Sequence, residues 1–418
     1  MKVLYLTYDG LTDGLGRSQV LPYIFGLSAS GHQFTIVSFE KAERFEKEKH
    51  AIEVLRQSNG VEWIPLSYTS SPPVLSTLYD ILRLRITVLE LHQKHNFDII
   101  HCRSYITSLV GLHMKRNFDV KFVFDMRAFY ADERIDGGLW NLRNPIFKAV
   151  YTFFKRKEVE FLSEADHSIS LTDKGKQIIY SWQSVQHQPV PIQVIPCCAD
   201  LDHFNPTNVN VGLQHQLREK LGLKDSDFVI TYLGSVGTWY MLDEMLDFFK
   251  VLLREKPDSK FLFITPDEPN SILREAEKRQ IPADRFAIDR AKREEVPTYL
   301  SLANAAIFFI KPVFSKSGSS PTKHGEMLGM GLPVIANSGV GDVDSIIEDT
   351  KSGILVKEFT DEAYAASVEQ IDDLLRIPIE NLQAAAQKYY SLKEGVKRYD
   401  AVYRSVCAND GTSRSAGS

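Results

Sequence analysis

Short apolar runs alternate with longer segments whose apolar positions recur at helical spacing, almost from end to end of the chain. Runs at residues 3–8, 34–39, 99–101, 122–124, 167–171 and 193–196 predict strands, while residues 18–30 and 78–95 predict amphipathic helices. The alternation pauses from residue 181 to about 211, where Pro, Gln and Asn are frequent and only 193–196 keeps a strand's character. A second series follows, with strands at 228–233, 260–265, 306–310 and 334–336 and helices at 242–253, 271–279, 296–303 and 322–330. Apolar strands that each lead into a helix belong in parallel sheets covered on both faces. The pattern therefore predicts two doubly wound, Rossmann-like α/β domains, residues 1–200 and 201–391. Residues 409–418 are small and polar and are expected to form a disordered tail.

At roughly 150 residues per domain, a length of 418 allows two or three domains. The 49 Lys and Arg against 54 Asp and Glu leave a formal charge of −5, which argues against a nucleic-acid binder held by bulk positive charge. The start, Met1-Lys2-Val3-Leu4, lacks the apolar stretch and cleavage site of a signal peptide. No segment approaches the ~18 uninterrupted apolar residues that a membrane helix needs. Cys102, Cys197, Cys198 and Cys407 show no C-x-x-C spacing, which suits a reducing compartment and argues against structural zinc. The expectation is a cytoplasmic protein that takes no nucleic acid.

The first strand runs into Asp9-Gly10-Leu11-Thr12-Asp13-Gly14-Leu15-Gly16-Arg17-Ser18-Gln19. Gly14 and Gly16 at a strand-to-helix turn allow backbone to approach a ligand, and a helix N-terminus receives negative charge. With the acidic Glu40 after the second strand, the loop mimics a dinucleotide fingerprint, so an NAD(P)-dependent oxidoreductase or epimerase is one reading. Gln19 in the third glycine position and the long linking loop count against it. A ligand-free glycine turn is the other reading.

The stretch Ser315-Lys316-Ser317-Gly318-Ser319-Ser320-Pro321-Thr322-Lys323-His324-Gly325-Glu326 is more specific. Ser320 has the chemistry of an N-cap and Pro321 suits the first helical position, which leaves amides from Thr322 onward as an anion site. Lys323 and Glu326 share a helix face with Thr322. A phosphate at the helix start would meet Lys323, and a polyol one turn deeper would meet Glu326; phosphate beside ribose describes a nucleotide. A capped surface helix with a Lys323–Glu326 salt bridge is the alternative.

After the strand at 122–124 come Asp125, Arg127, Asp132 and Glu133, charges gathered where open α/β sheets bind ligands. Arg127 is the preferred cation because a guanidinium can fork onto phosphate. An internal Arg–carboxylate network is the alternative. Residues 144–157 combine aromatics with a basic end, as in a core helix with cations at its C-terminus or in an interfacial helix on anionic lipid.

Taken in order, these places resemble the family 4 glycosyltransferases of the GT-B fold. The resemblance rests on the Asp9–Gln19 loop, on Val194-Ile195-Pro196-Cys197-Cys198-Ala199-Asp200-Leu201-Asp202-His203-Phe204, on Tyr232-Leu233-Gly234-Ser235, and on Ser320-Pro321-Thr322-Lys323 with Glu326 and Gly331-Leu332-Pro333-Val334-Ile335-Ala336. The second segment is similar to the family's interdomain I-P-N-G-V-D-x-x-x-F, and the fourth to its donor-binding E-x7-E helix. The resemblance implies two domains facing across a cleft, with a helix at 392–407 returning to the first. It implies transfer of a sugar from a UDP- or GDP-linked donor to a glycan or lipid-linked acceptor. Anomeric configuration would be retained, with no cofactor and no essential metal. It assigns donor binding to Gly14, Gly16, Gly234, Ser235, Ser320, Thr322, Lys323 and Glu326, and catalysis to Arg127, Asp125 and His101. With a lipid-linked acceptor, a peripheral contact at the inner membrane face is expected.

The family's first glutamate falls on Gly318, and the Arg and Lys that often follow the second-domain glycine turn are replaced in Gly234-Ser235-Val236-Gly237-Thr238-Trp239-Tyr240. Lys323 is the candidate replacement cation, and a non-catalytic nucleotide-sugar or glycan-binding module is a further reading. Asp342-Val343-Asp344 and Asp200-Leu201-Asp202 have metal-like spacing, but two carboxylates alone make a poor hard-metal site.

Overall fold

Two parallel sheets carry the chain in the computed structural model, which describes residues 1–186 and 190–408. The tail expected at 409–418 lies outside the described residues. By internal contacts the chain divides into Met1–Pro196 joined by the segment from Leu392, and Cys197–Ser391. The change of unit falls at Pro196 rather than at residue 200 because Ala199 already belongs to the second unit: its N–H donates to the Tyr390 carbonyl at 2.7 Å, and it bridges to Ser391.

In the first unit seven strands run in the order β3-β2-β1-β4-β5-β6-β7. They are β1 Lys2–Thr7, β2 Gln33–Glu40, β3 Glu62–Ser67, β4 Ile99–Arg103, β5 Lys121–Asp125, β6 His167–Ser170 and β7 Ile192–Val194. Successive side chains point to opposite faces of a strand. Leu4, Leu6, Ile100, Cys102, Phe122 and Phe124 accordingly join one core with Leu84, Val88, Val110 and Phe161 of the covering helices. Tyr5, His101 and Asp125 take the other face, where Tyr399 and Tyr403 of the Leu392–Ala408 helix meet the His101 ring at 5.5 and 5.9 Å. The helix expected over residues 18–30 is broken into Gly14–Gln19 and Leu21–Ala29. Pro22 explains the break, since it has no N–H to continue the ladder and instead opens the second piece.

The second unit orders its six strands β10-β9-β8-β11-β12-β13. These are β8 Val229–Leu233, β9 Lys260–Ile264, β10 Phe286–Asp289, β11 Ala305–Phe308, β12 Val334–Asn337 and β13 Gly353–Val356. The Thr322–Gly329 helix lies close on Ile379–Tyr390: a Cβ on Gly325 would stand 2.5 Å from that of Tyr390. Among the described residues no helix is long and apolar enough to cross a membrane.

Candidate active site

Open α/β sheets bind ligands beyond the carboxyl ends of their strands, where the strand order reverses. In the second unit that place lies between β8 and β11. Gly234 and Ser235 directly follow β8, and the loop after β11 leads to Ser320 and the Thr322–Gly329 helix. Asn337 at the end of β12 shapes this loop, accepting from Ile310 N at 2.7 Å and donating to the Ile310 carbonyl at 2.9 Å.

Lys323 is only 7% exposed. Its Nζ donates to Tyr232 Oη at 3.1 Å and sits 3.7 Å from the ring centre of Tyr240. Tyr232 Oη donates in turn to the Ser235 carbonyl, so one chain of contacts ties the ammonium to the glycine turn. Gly234 adopts φ +117°, and a Cβ there would stand 3.1 Å from Lys323 Nζ. Burial pulls the Lys323 ammonium down to about 7, with Glu326 acting in the opposite sense. Lys316, also 7% exposed, lies over Trp239 at 3.8 Å. Two cations that follow β11, Lys316 and Lys323, are thus seated on aromatic rings of the segment that follows Gly234.

Glu326, one turn beyond Lys323, is half-buried. Burial raises its pKa while Arg293 and Lys323 pull it down. Among the described residues its carboxylate takes no hydrogen bond, which leaves its acceptor positions open to a ligand. Arg293, resting on Phe204 at 5.6 Å, is a neighbour that the sequence pattern did not single out; no local spacing connects it to Glu326.

Ser320 does not cap the helix. Pro321 occupies the N-cap position, and Ser320 Oγ accepts from Cys197 N at 3.2 Å, because the segment entering the unit competes for that oxygen. Thr322 and Lys323 head the helix, and His324 N makes the first turn's bond to the Pro321 carbonyl at 3.1 Å. Both D-x-D triplets serve their own loops: Asp344 accepts from Gly339 N and Asp200 from His203 N, each at 3.2 Å.

In the first unit the order reverses between β1 and β4. Register places Thr7, Arg103 and Asp125 in one row at the carboxyl edge. Asp125 is fully buried, with Oδ2 3.6 Å from Arg127 Nη1, 3.5 Å from His101 Nε2, and accepting from Tyr399 Oη at 3.1 Å. Burial alone would raise its pKa, but Arg127, His101 and Arg103 outweigh that and hold it at about 2. His101 is pushed down, chiefly by burial, and its Nδ1 lies 2.7 Å from Tyr403 Oη. Arg103 donates to Asp9 at 3.1 Å, and among the described residues its Nη1 is buried without a hydrogen bond, as are His101 Nε2 and Asp125 Oδ1. Ser104 and Arg127 hold φ of +69° and +64°, left-handed conformations that cost non-glycine residues about 1–3 kcal/mol and collect at functional sites. Arg127 and Asp125 therefore sit in one network, which also includes Arg103, Tyr399 and Tyr403. Asp132 is occupied elsewhere, accepting from Tyr151 Oη at 3.0 Å and Lys155 Nζ at 2.9 Å.

The glycine loop corrects the dinucleotide reading. Glu40 is buried, and its carboxylate accepts from Leu11 N at 2.7 Å, Thr12 N at 3.1 Å, Thr12 Oγ1 and Ser38 Oγ. It organises the loop and keeps no face for a ribose. The two glycines also differ: a Cβ on Gly16 would stand 2.2 Å from the Gly10 carbonyl, whereas among the described residues nothing beyond Gly14's own neighbours and helix backbone lies within 4 Å of one on Gly14. Gly16→Ala is expected to lose about 1–3 kcal/mol of stability by overpacking. Gly14→Ala should melt like the wild type, and equal melting of the two variants would contradict the close approach at Gly16.

Residues 214–389 match the family model described as glycosyl transferases group 1, and residues 23–203 match that of glycosyltransferase family 4. The UDP-Gal:alpha-D-GlcNAc-diphosphoundecaprenol alpha-1,3-galactosyltransferase of Escherichia coli is 22% identical over 80% of this chain and 82% of its own length. A D-inositol 3-phosphate glycosyltransferase of Segniliparus rotundus is 24% identical over 67% of this chain, which spans only 59% of that relative. Among solved structures, sucrose-phosphate synthase of Thermosynechococcus elongatus superposes with a TM-score of 0.72 at 16% identity, covering 98% of this chain and 100% of its own. HepE of Anabaena, in complex with UDP and glucose, gives 0.68 at 14% identity over 97% and 100%. Both matched families are glycosyltransferases, which leaves no place for the oxidoreductase reading. The chain belongs to the group 1, family 4 glycosyltransferases and has their GT-B fold.

Proposed function

We propose that the protein transfers a hexosyl group from a UDP- or GDP-linked sugar to a glycan or lipid-linked acceptor, with retention of anomeric configuration and without an essential metal or cofactor. The observation that carries this reading is the pairing of buried Lys323 with open Glu326 at the strand-order reversal of the second sheet. Amides of Thr322 and Lys323 at a helix start, with the Lys323 ammonium, suit a diphosphate. Glu326 one turn deeper suits the ribose hydroxyls. As the sugar leaves, charge grows on the diphosphate, and fixed amides and cations stabilise it without reorganising. In the first unit, Arg127, Asp125 and His101 would position the acceptor and its proton. The Escherichia coli relative is named for UDP-Gal and a diphosphoundecaprenol acceptor, and HepE was solved with UDP and glucose. These names support a UDP-sugar and a lipid-carried acceptor here; such an acceptor requires the first unit to meet a membrane surface.

A thermal-shift panel of UDP- and GDP-sugars should identify one stabilising donor, and NMR of the product should show the anomeric configuration of that donor. An inverted product would refute retention. A chain that binds the donor but never turns it over would be the binding module that Gly318 suggests.

The Lys323 ammonium adds a pH dependence. Since the free site titrates at about 7 and only the charged form attracts a diphosphate, binding takes up a proton as pH rises past that value. UDP affinity should therefore fall, approaching about tenfold per pH unit above neutrality. Lys323→Arg, charged throughout, should flatten the titration. Calorimetry over this range checks both, and a pH-independent wild type would remove Lys323 from the phosphate.

A further inference from the structure

Tyr399 and Tyr403 stand four residues apart, on one face of the Leu392–Ala408 helix. Both are buried, and they divide two partners between them: Tyr399 takes the Asp125 carboxylate and Tyr403 the His101 imidazole. The Tyr403 ring is fixed from behind. His32 and Phe34 stand 5.4 and 6.3 Å from it, and His32 Nε2 lies 2.7 Å from Asp400 Oδ1 of the same helix. Tyr5, the register partner of His101 on β1, closes the other side of the imidazole with its ring at 4.5 Å.

The two ring nitrogens of His101 meet opposite demands. Nε2 lies 3.5 Å from Asp125 Oδ2, and a carboxylate can only accept. Nδ1 lies 2.7 Å from Tyr403 Oη, a phenol with no other hydrogen bond among the described residues. A neutral imidazole carries one N–H. With that proton on Nε2, the phenol donates to Nδ1 and every group is matched. With it on Nδ1, a lone pair would face the carboxylate and the phenol proton would be stranded in the core. A doubly protonated ring strands the same proton, at about 1–3 kcal/mol for a buried donor left unpaired. Burial acts in the same sense on both partners, lowering the pKa of the histidine and raising that of the phenol.

We propose that Tyr403 is a positioning residue: by donating to Nδ1 it keeps the His101 proton on Nε2 and the ring uncharged, which leaves the Asp125 charge to a ligand hydroxyl. Its use rests on the acceptor role proposed above for His101 and Asp125; the tautomer rests on these three groups alone. Tyr399 and His101 both approach Oδ2, so Oδ1 is the open acceptor of the carboxylate among the described residues. Without the phenol, Nδ1 can take up a proton. The imidazolium would then pair with Asp125 and draw its charge away from the hydroxyl. Of the other groups that face the ring, Arg103 and Arg127 oppose its protonation, and burial keeps Tyr5 and Tyr399 as neutral phenols. Asp125 is the group that favours it.

Nitrogen-15 NMR of the full chain with labelled histidine reads the ring directly, and His101→Gln assigns its signal. At neutral pH the wild type should carry the proton on Nε2 and none on Nδ1. In Tyr403→Phe both nitrogens should become protonated as the pH falls. Turnover should follow the ring: relative to wild type, kcat of Tyr403→Phe should fall on the acid side, approaching about tenfold per pH unit, with KM for the donor unchanged. Glutamine cannot be charged, so adding His101→Gln to Tyr403→Phe should abolish that acid-side fall. Tyr399→Phe removes a hydroxyl from the same helix but leaves Nδ1 capped, and should keep the wild-type pH profile. A wild-type ring protonated on Nδ1 would overturn the proposal without any variant. So would a Tyr403→Phe profile parallel to wild type, or an acid-side fall that survives in the double variant. A wild type that transfers no sugar would refute the function proposed above, while a ring protonated on Nε2 alone would still uphold the hold of Tyr403 on the tautomer.

Discussion

Replacing Glu326 with alanine is expected to weaken binding of the nucleotide donor by about a hundredfold. A carboxylate that accepts from neutral hydroxyls contributes about 1.5–3 kcal/mol per bond, and two ribose hydroxyls bring the loss near 3 kcal/mol. A second effect adds to this. Glu326 holds the Lys323 ammonium up against burial, so its removal lowers that pKa further and leaves less of the lysine charged at neutrality. Part of the loss should therefore return as the pH is lowered. Calorimetry with two ligands separates the roles: Glu326→Ala should weaken both uridine and UDP, while Lys323→Met should spare uridine and weaken UDP. Uridine affinity unchanged in Glu326→Ala would take the ribose away from this residue.

The second large effect concerns Asp125. Arg127, His101 and Tyr399 all converge on its carboxylate, and Arg103 stands nearby. Asp125→Asn leaves two largely buried guanidinium groups without that charge, and removing one partner of a buried pair typically costs about 3–5 kcal/mol. At about 2–4 °C per kcal/mol for a unit of this size, melting should fall by roughly 10 °C. Tyr399 would also lose the charged acceptor that helps seat the Leu392–Ala408 helix, so amide exchange should rise along that helix. The pH dependence has a defined sign. The folded carboxyl titrates at about 2, below its ordinary 3.8, so its stabilisation is complete above 3.8 and is lost as pH falls from there through 2. A variant that melts like the wild type, with unchanged acid unfolding, would show that the network is not held by this charge.

The central strands were legible because they are buried on both faces and read as apolar runs. Those that escaped the pattern, β3, β10 and β13, are all edge strands. β3 contains Glu62 and Pro65, which an edge tolerates, and β13 opens on Gly353, where a Cβ would stand 2.2 Å from the Val334 carbonyl. Lys323 and Glu326 were legible from helical spacing, because both lie on one short helix. Tyr399 and Tyr403 were not, since they reach Asp125 and His101 from a helix that follows the whole second unit. Ser320 misled because an N-cap signature reports only local chemistry, and Cys197 N claims the same oxygen from far along the chain. Glu40 misled in the same way: three of its four donors, Leu11 N, Thr12 N and Thr12 Oγ1, come from the loop that it was expected to help bind a ligand, and the fourth is Ser38 Oγ of its own strand.

The Leu392–Ala408 helix also sets an order of events during synthesis. The second unit is one unbroken segment, Cys197–Ser391, and can close as soon as it has left the ribosome. The first unit, though translated earlier, stays unfinished until Tyr399 and Tyr403 emerge behind it. The half of the protein that begins first is therefore the half that is completed last.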